Sequence, residues 1–496
     1  MGYFIGIDIG TSSTKTVLLD GNGQIVSSSS KAYACEHPHS GWSEQNPEDW
    51  FEAAVETIQD IVCDACVDPN SVAGLSFGGQ MHGLVILDDK DNIIRPAILW
   101  NDGRSVKETE FLNNDIGRDV LTARCGNIAF PGFTAPKLLW LKQHEPDSFA
   151  RISKVMLPKD YVAYRMTGVF CTDVSDASGT LFFDVRNREW SVPMLQLLGI
   201  TREQLPRIFE SSEVVGTLLP SVASRMGLSK RVLVVAGAGD NEAAAVGMDC
   251  VHDGQCNISI GTSGTVFLPT SSMLLDGVNS LHSFCDATGS YHLMGCILSA
   301  ASANEWWIEN ILESDYVREE PSREEMSESS VVFLPYLMGE RSPINDAAAR
   351  GAFIGMDINT TREEMGRAVL EGVAFALRQS LDAALGMGAE VSYITLCGGG
   401  SRSEAWRQII ADVLNMPLAA LDQERGPGYG AAILAMVGCG LYPSVEVAAD
   451  ALAPAISGMV IPNSLQASSC QHRYEIYRLL YPALKNVYAV LSKVSK

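Results

Sequence analysis

The segment Ile7-Asp8-Ile9-Gly10-Thr11-Ser12-Ser13-Thr14-Lys15 recurs about halfway along the chain as Ile258-Ser259-Ile260-Gly261-Thr262-Ser263-Gly264-Thr265-Val266, with isoleucines, glycine and hydroxyl residues in register. In each copy apolar residues alternate as a buried strand requires, and glycine with small hydroxyl residues then turns the backbone. The N–H groups of such a turn converge on an anion. One Gly-Thr-Ser turn is an ordinary hairpin. Two copies at domain-sized separation say more, because a short repeat period builds a solenoid whereas a single long period specifies two related lobes. Facing each other, two such hairpins grip one phosphate chain from opposite sides.

Size agrees with two lobes. A chain of 496 residues exceeds the roughly 250 to 300 residues at which one hydrophobic core stops growing. We expect domains 1–245 and 246–496. The composition, 46% hydrophobic and 19% charged, supplies ordinary cores. A formal charge of −23 argues against nucleic acid and anionic membranes as partners, while allowing a local basic pocket for a nucleotide. No apolar run reaches the roughly 18 to 20 residues that span a bilayer, and the N-terminus enters a strand at Tyr3 without a leader pattern. A cytoplasmic location is the expectation. The twelve cysteines are scattered, several in apolar segments (Cys171, Cys256, Cys397), which suits reduced core thiols. Cys63 and Cys66 form the one close pair and lack the second pair or histidine of a zinc site.

Strands and helices alternate. Residues 3–20 and 24–30 read as a meander with its turn at Asp20-Gly21-Asn22-Gly23. Asn46 caps a helix that opens with Pro47 and carries Trp50, Ala54, Ile58 and Ile61 on one face. Val72–Phe77 is a strand ended by Gly78-Gly79, and Arg231–Ala236 another, ended by Gly237-Ala238-Gly239. A Glu-rich stretch, 319–328, reads as a solvated surface element. Val391–Leu396 runs into Gly398-Gly399-Gly400, an amphipathic helix covers Glu404–Leu414, and the last helical runs are Gly430–Val437 and Arg473–Ser492. The tyrosine-rich end, Tyr474–Tyr488, either closes a lobe or forms a dimer contact.

Strand ends in open α/β sheets expose turns and side chains to one crevice, and four of them carry suggestive chemistry. Asp8 lies among apolar residues, where a carboxylate needs a partner or a cation such as magnesium; capping of local N–H groups is the alternative. Lys15 meets phosphate charge or faces water. Asp240, with Asn241, joins a strand end to a helix start, where N–H dipoles keep it ionised as a proton acceptor, or it is a plain N-cap. Gln80-Met81-His82-Gly83 combines an amide, a pliable thioether and an imidazole suited to sugar hydroxyls and carbon faces, with a core histidine as the bland reading. Trp100-Asn101-Asp102-Gly103-Arg104 offers an aromatic plate and polar groups, or a surface turn with an ion pair.

Together these positions resemble the FGGY carbohydrate kinase family over nearly the whole chain. Gly132-Phe133-Thr134-Ala135-Pro136-Lys137-Leu138-Leu139-Trp140-Leu141-Lys142-Gln143-His144 is similar to the family's first signature. Gly351-Ala352-Phe353-Ile354-Gly355-Met356, followed by Glu364–Glu371, is similar to its second. The turns at 80–83 and 100–104, with Leu157-Pro158-Lys159-Asp160-Tyr161 and Trp42-Ser43-Glu44-Gln45, most resemble members that act on D-xylulose. The resemblance implies an α/β fold of two ribonuclease-H-like (actin-like ATPase) domains around a central cleft. It implies transfer of the γ-phosphoryl group of ATP, with Mg2+, to the 5-hydroxyl of that sugar. Asp240 is then the catalytic base and Asp8 the metal-linked carboxylate. Met81 and His82 contact sugar, with Gln80, Trp100, Asp102 and Asn241 around it. Thr11, Ser12 and Lys15 in one lobe, and Gly261 and Thr262 in the other, hold phosphates. Gly398, Gly399 and Gly400 lie against the nucleotide, and Ser403 stands where related glycerol kinases place an asparagine on adenine. Another ketose or polyol (ribulose, glycerol) and a non-kinase actin-like ATPase are the alternatives, and a homodimer is compatible with either.

Overall fold

Both hairpins form, and each becomes the centre of its own sheet. The computed structural model describes residues 2–276, 278, 281–316, 330–423 and 425–494. The Glu-rich stretch 319–328 lies outside the described residues. In the first half, β1 (Tyr3–Ile9), β2 (Ser13–Leu19), β3 (Ile25–Ala32), β4 (Val72–Gly79), β5 (Val214–Thr217) and β6 (Leu233–Val235) assemble in the order β5-β6-β4-β1-β2-β3. Ala238–Gly239 adds a short parallel strand beside the end of β4. In the second half, β7 (Gly254–Ile260), β8 (Gly264–Thr270), β9 (His282–Cys285), β10 (Tyr291–Ile297), β11 (Val391–Cys397), β12 (Leu418–Leu421) and β13 (Ile456–Val460) assemble in the order β9-β10-β8-β7-β11-β12-β13.

The two sheets share one plan. An antiparallel hairpin (β1–β2, β7–β8) is extended antiparallel on one side (β3, β10) and parallel on the other (β4 then β6, β11 then β12), and an antiparallel strand (β5, β13) follows. The hairpins differ in one detail that the sequence alignment hides: Ile9 faces Thr14, whereas Ile260 faces Gly264, so the second turn is one residue shorter.

Each sheet has its own apolar core. Ile5, Ile7, Ile9, Leu75 and Phe77 pack with Trp50, Phe51 and Ile58 of the helix Pro47–Ala65. Asn46 caps that helix by accepting from Glu48 N, with Pro47 in its first turn, as expected. Ile258, Ile260, Ile394 and Leu396 pack with Val369, Val373 and Leu377 of the helix Arg362–Gly386. Residues between β4 and β5 build a further core around Leu138, Leu141, Phe133 and Phe183.

One element ignores the order of the chain. The helix Pro427–Gly438, three residues longer at its start than expected, packs against Phe4, Leu19, Val235 and Ala243 of the first half. Its sequence, nearly free of polar side chains, suits burial on all sides. The close approach is made by glycines. A methyl built on Gly430 would stand 2.7 Å from the Ala243 carbonyl carbon and 2.9 Å from Gly247 N. Gly6 meets Gly428 in the same manner.

The C-terminal helix begins earlier than the sequence suggests, at Ser464, and runs to Val494. Tyr474, Tyr477 and Tyr488 are buried in the second core, so this helix closes the lobe along that face. Arg473 grips the buried Glu371 with Nε at 2.9 Å and Nη2 at 2.8 Å, and Arg367 Nε donates to the same carboxylate at 2.7 Å. All twelve cysteines are free thiols, with Cys63 and Cys66 exposed at a helix end. Among the described residues no helix is long and apolar enough to cross a membrane.

Candidate functional site

Between the sheets lies a cleft of about 530 Å3 to which both hairpins contribute: Asp8 and Lys15 from the first, Asn257, Ser259, Thr265 and Phe267 from the second. Asp240 and Asn241, Gly398, and the run Arg425 to Tyr429 also line it. Asp8 and Lys15 are cross-strand partners on β1 and β2. The repeat places Ser259 where the first copy has Asp8, so the hairpin carboxylate is supplied by one lobe alone.

Asp240 is positioned by strand pairing. Ala238 and Gly239 pair with Gly78 and Gly79. Gly239 N donates to Ser175 Oγ at 3.0 Å, and Ser175 Oγ donates to Asp173 Oδ2 at 2.6 Å. The helix Asp240–Gly247 starts immediately afterwards. Asn241 donates both its N and its Nδ2 to Asp240 Oδ1, each at 2.9 Å.

Both cleft carboxyls titrate high. Burial pushes Asp8 up to about 7, with the nearby Asp240 adding to the rise and Lys15 opposing it. Burial pushes Asp240 up to about 6, against the pull of the Asn241 hydrogen bonds. Desolvation outweighs the N–H dipoles expected to keep Asp240 ionised, so its pKa is lifted. Asp240 is still mostly ionised at pH 7. Two desolvated carboxyls in one cleft suit a hard divalent cation, which would favour their charged forms.

Several expected contacts hold the first hairpin turn rather than face the cleft. Trp100 Nε1 donates to Thr11 Oγ1 at 2.9 Å, and Thr11 Oγ1 donates to Gln80 Oε1 at 3.2 Å. Gln45 Nε2 donates to Thr11 O at 2.6 Å, Gln80 Nε2 to Gln45 Oε1 at 3.1 Å, and Gln80 N to Ile9 O at 2.8 Å. Asp102 is buried and accepts from Ser43 N at 2.6 Å and from Arg104 Nε and Nη2 at 2.8 and 2.7 Å. Arg104 in turn lies 3.7 Å over the Trp42 ring. The side-chain polar groups of Gln80, Trp100 and Asp102 are thus engaged with protein, and those of Gln80 and Trp100 fix the turn that carries Thr11 and the exposed Ser12.

Met81 packs against Gly239, next to Asp240. His82 is buried with φ +67°; its Nδ1 lies 2.9 Å from Gly179 O, and its ring lies 4.6 Å from that of Phe133. Burial, with Lys137 and Arg341 nearby, holds its pKa well below the usual range, so it is a neutral imidazole that donates from Nδ1 and accepts at Nε2.

In the second lobe, Thr262 O accepts from Ala300 N at 2.9 Å and Gly261 O from Ala301 N at 2.8 Å, which ties the turn to the end of β10. Gly261 and Thr262 do not line the cavity itself. Gly398 does, with φ +88° and with the Ile260 backbone where a Cβ would stand, so both conformation and space require glycine there. Gly399 is exposed with nothing near it, and Gly400 packs on Ile260 and Trp406. Ser403 accepts from Trp406 N at 3.0 Å as a helix cap.

Sequence reasoning missed Arg425, Gly426, Pro427, Gly428 and Tyr429. Arg425 Nη1 donates to Tyr429 Oη at 2.9 Å, and Tyr429 Oη donates to Gly23 O at 2.8 Å, so this wall is pinned to the first lobe. The dense Gly-Pro-Gly pattern was the available signal. Also unforeseen is a buried group under Asp240. Lys159 Nζ lies 2.8 Å from both Asp160 and Asp173 and 3.6 Å from Asp176, and Glu242 lies 3.3 Å from His292.

A model of the N-terminal domain of the FGGY family of carbohydrate kinases matches residues 3–247, and the family's C-terminal domain model matches residues 256–439. The xylulose kinase of Escherichia coli is 41% identical over 489 residues, 97% of this chain and 99% of that protein. That of Bacillus subtilis is 35% identical over the whole of both. Among solved structures, a Brucella ovis protein described as a xyloylose kinase has TM-score 0.92 at 39% identity, covering 98% of this chain and 100% of its own. A gluconate kinase from Lactobacillus acidophilus has TM-score 0.93 at 27% identity, with 99% of each covered.

Proposed function

Because this chain belongs to the FGGY family of carbohydrate kinases, we propose that its reaction is transfer of the γ-phosphoryl group of ATP to the 5-hydroxyl of D-xylulose, giving D-xylulose 5-phosphate and ADP. The observation that supports this most is the meeting of both hairpins and Asp240 in one cleft, together with full-length similarity to xylulose kinases.

In this reading residues 1–245 hold mainly the sugar and residues 246–496 mainly the nucleotide. Asp240 accepts a hydrogen bond from the 5-hydroxyl and takes its proton as the O5–phosphorus bond forms and the bond from the γ-phosphorus to ADP breaks. A carboxyl that titrates near 6 is ionised at neutral pH yet basic enough to take that proton. Met81, His82 and Asn241 surround the sugar, Gln80 and Trp100 hold the turn that meets phosphate, and Asp102 braces the neighbouring Ser43 and Arg104. Backbone N–H groups at Thr11, Ser12, Gly261 and Thr262, with Lys15, neutralise the phosphate chain. Gly398, Gly399 and Gly400 lie along the nucleotide, with Ser403 near its base. Magnesium bound through Asp8 would supply charge neutralisation at the phosphates. Closure of the cleft expels water, which limits hydrolysis of ATP. We place the enzyme in the cytoplasm; sedimentation reads whether it is a monomer or a homodimer.

The test is mass spectrometry of the product from D-xylulose and MgATP. A gain of one phosphoryl group on the sugar supports the reading, and its absence refutes it. The likeness to a gluconate kinase makes specificity the second question. A panel of D-xylulose, ribulose, glycerol and gluconate in an ADP-release assay should give the highest kcat/KM with D-xylulose.

A further inference from the structure

His282 is completely buried, and neither of its ring nitrogens has a hydrogen-bond partner among the described residues. Such a ring is rare, since buried polar atoms are nearly always satisfied by protein, water or ligand. It is not a loosely held side chain. Its strand, β9, is fastened to the first lobe: Ser283 N donates to Asn127 Oδ1 and Asn127 Nδ2 donates to Ser283 O, both at 2.9 Å, while Cys285 N donates to Ser178 Oγ at 3.1 Å. The ring is wedged among Phe130, Phe133 and Phe284, with centroids 4.9, 5.2 and 5.1 Å away.

Polar groups stand beyond these rings. His82, whose Nδ1 is committed to Gly179 O, keeps Nε2 as an acceptor, and its ring lies 6.3 Å from that of His282, edge to face. Arg341 reaches the same place from the second half of the chain, 5.9 Å from the Phe130 ring and close against Gly132. A file of rings, Phe267 to His292 at 4.3 Å, His292 to Phe284 at 5.7 Å and Phe284 to His282, leads here from the cleft wall. A donor and an acceptor on one neutral ring, beside a second acceptor and a cation, match sugar hydroxyls, each of which both donates and accepts.

We propose that His282 hydrogen-bonds the hydroxyls of the sugar remote from the phosphorylated one, so that the second lobe as well as the first reads the substrate. This rests on the kinase reading above.

Removing the nitrogens while keeping the packing is the test. His282→Phe, with His282→Leu as a second apolar variant, is compared with wild type for KM of D-xylulose, KM of ATP, and calorimetric D-xylulose binding without nucleotide. A sugar hydroxyl left unpaired in a buried site should raise the sugar KM on the order of 10-fold to 100-fold and leave the ATP KM within about twofold. His282→Gln, which restores a donor and an acceptor, should recover part of the loss. An unchanged sugar KM in either apolar variant that folds overturns the proposal. A parallel rise in both KM values with a lowered unfolding midpoint also overturns it, because it marks the ring as structural. Wild type that does not phosphorylate D-xylulose refutes the kinase reading instead.

Discussion

Gly430→Ala exposes the most restrictive contact in the molecule. In an isolated helix, alanine for glycine is stabilising by about 1 kcal/mol, and Gly430 lies inside the helix Pro427–Gly438. Tertiary contact reverses the sign. The added methyl would sit 2.7 Å from the Ala243 carbonyl carbon and 2.9 Å from Gly247 N, and closer still to the Ala243 oxygen. Ordinary contact begins near about 3.5 Å, so the two helices must separate by well over an ångström to free the Ala243 oxygen, and these contacts are backbone, which has no rotamer to yield. Overpacking of this kind costs typically 1–3 kcal/mol and sometimes more; because both contacts are rigid backbone the upper end applies, and with the helix gain of about 1 kcal/mol subtracted the net loss is about 2 kcal/mol. For a lobe of this size that lowers the unfolding midpoint by roughly 4–8 °C. The displaced helix begins at Asp240, so kcat should fall more than KM for ATP. Differential scanning fluorimetry and a coupled ADP assay read both. A variant as stable and active as wild type would refute the close helix crossing.

Asp240→Asn should lower turnover on the order of 100-fold or more, with ATP affinity nearly unchanged, in steady-state kinetics with both substrates varied. The same substitution should raise the unfolding midpoint at pH 7 to 8, where the burial that lifts the Asp240 pKa to about 6 makes its charge unfavourable. For pH, a base is active when deprotonated, so kcat/KM should fall as pH drops through about 6 and lose about tenfold per unit below it; a profile flat from pH 7.5 to 5 would reject Asp240 as the base. Glu371→Ala, which strips the carboxylate from Arg473 and Arg367 in a buried setting, should cost about 3–5 kcal/mol, read as a lower unfolding midpoint and faster proteolysis near the C-terminal helix.

What the sequence discloses is mainly local. The repeat exposes the two lobes because alternation and turn chemistry act over a few residues, and Asp8, Lys15, Asp240, Asn241 and Gly398 reach the cleft because strand ends lead there. The Arg425–Tyr429 wall is invisible in this way, since its place depends on a helix from one half lying against the sheet of the other. Gln80, Trp100 and Asp102 look available in a one-dimensional motif. Their partners Thr11, Gln45 and Ser43 are distant in sequence, so the engagement shows only in three dimensions. The rise of the Asp240 pKa to about 6 is hidden for a related reason: a helix start is visible in a string of letters, whereas the depth of water exclusion around it is not.

The helix that crosses between the halves also bears on the making of the molecule. During synthesis the first sheet can pair its strands long before Pro427–Gly438 leaves the ribosome, yet Phe4, Leu19 and Val235 lack their cover until it does. That bare patch is a natural point for chaperone capture or misassociation. A fragment ending after residue 245 would carry it permanently, so the two halves are better co-expressed than produced apart.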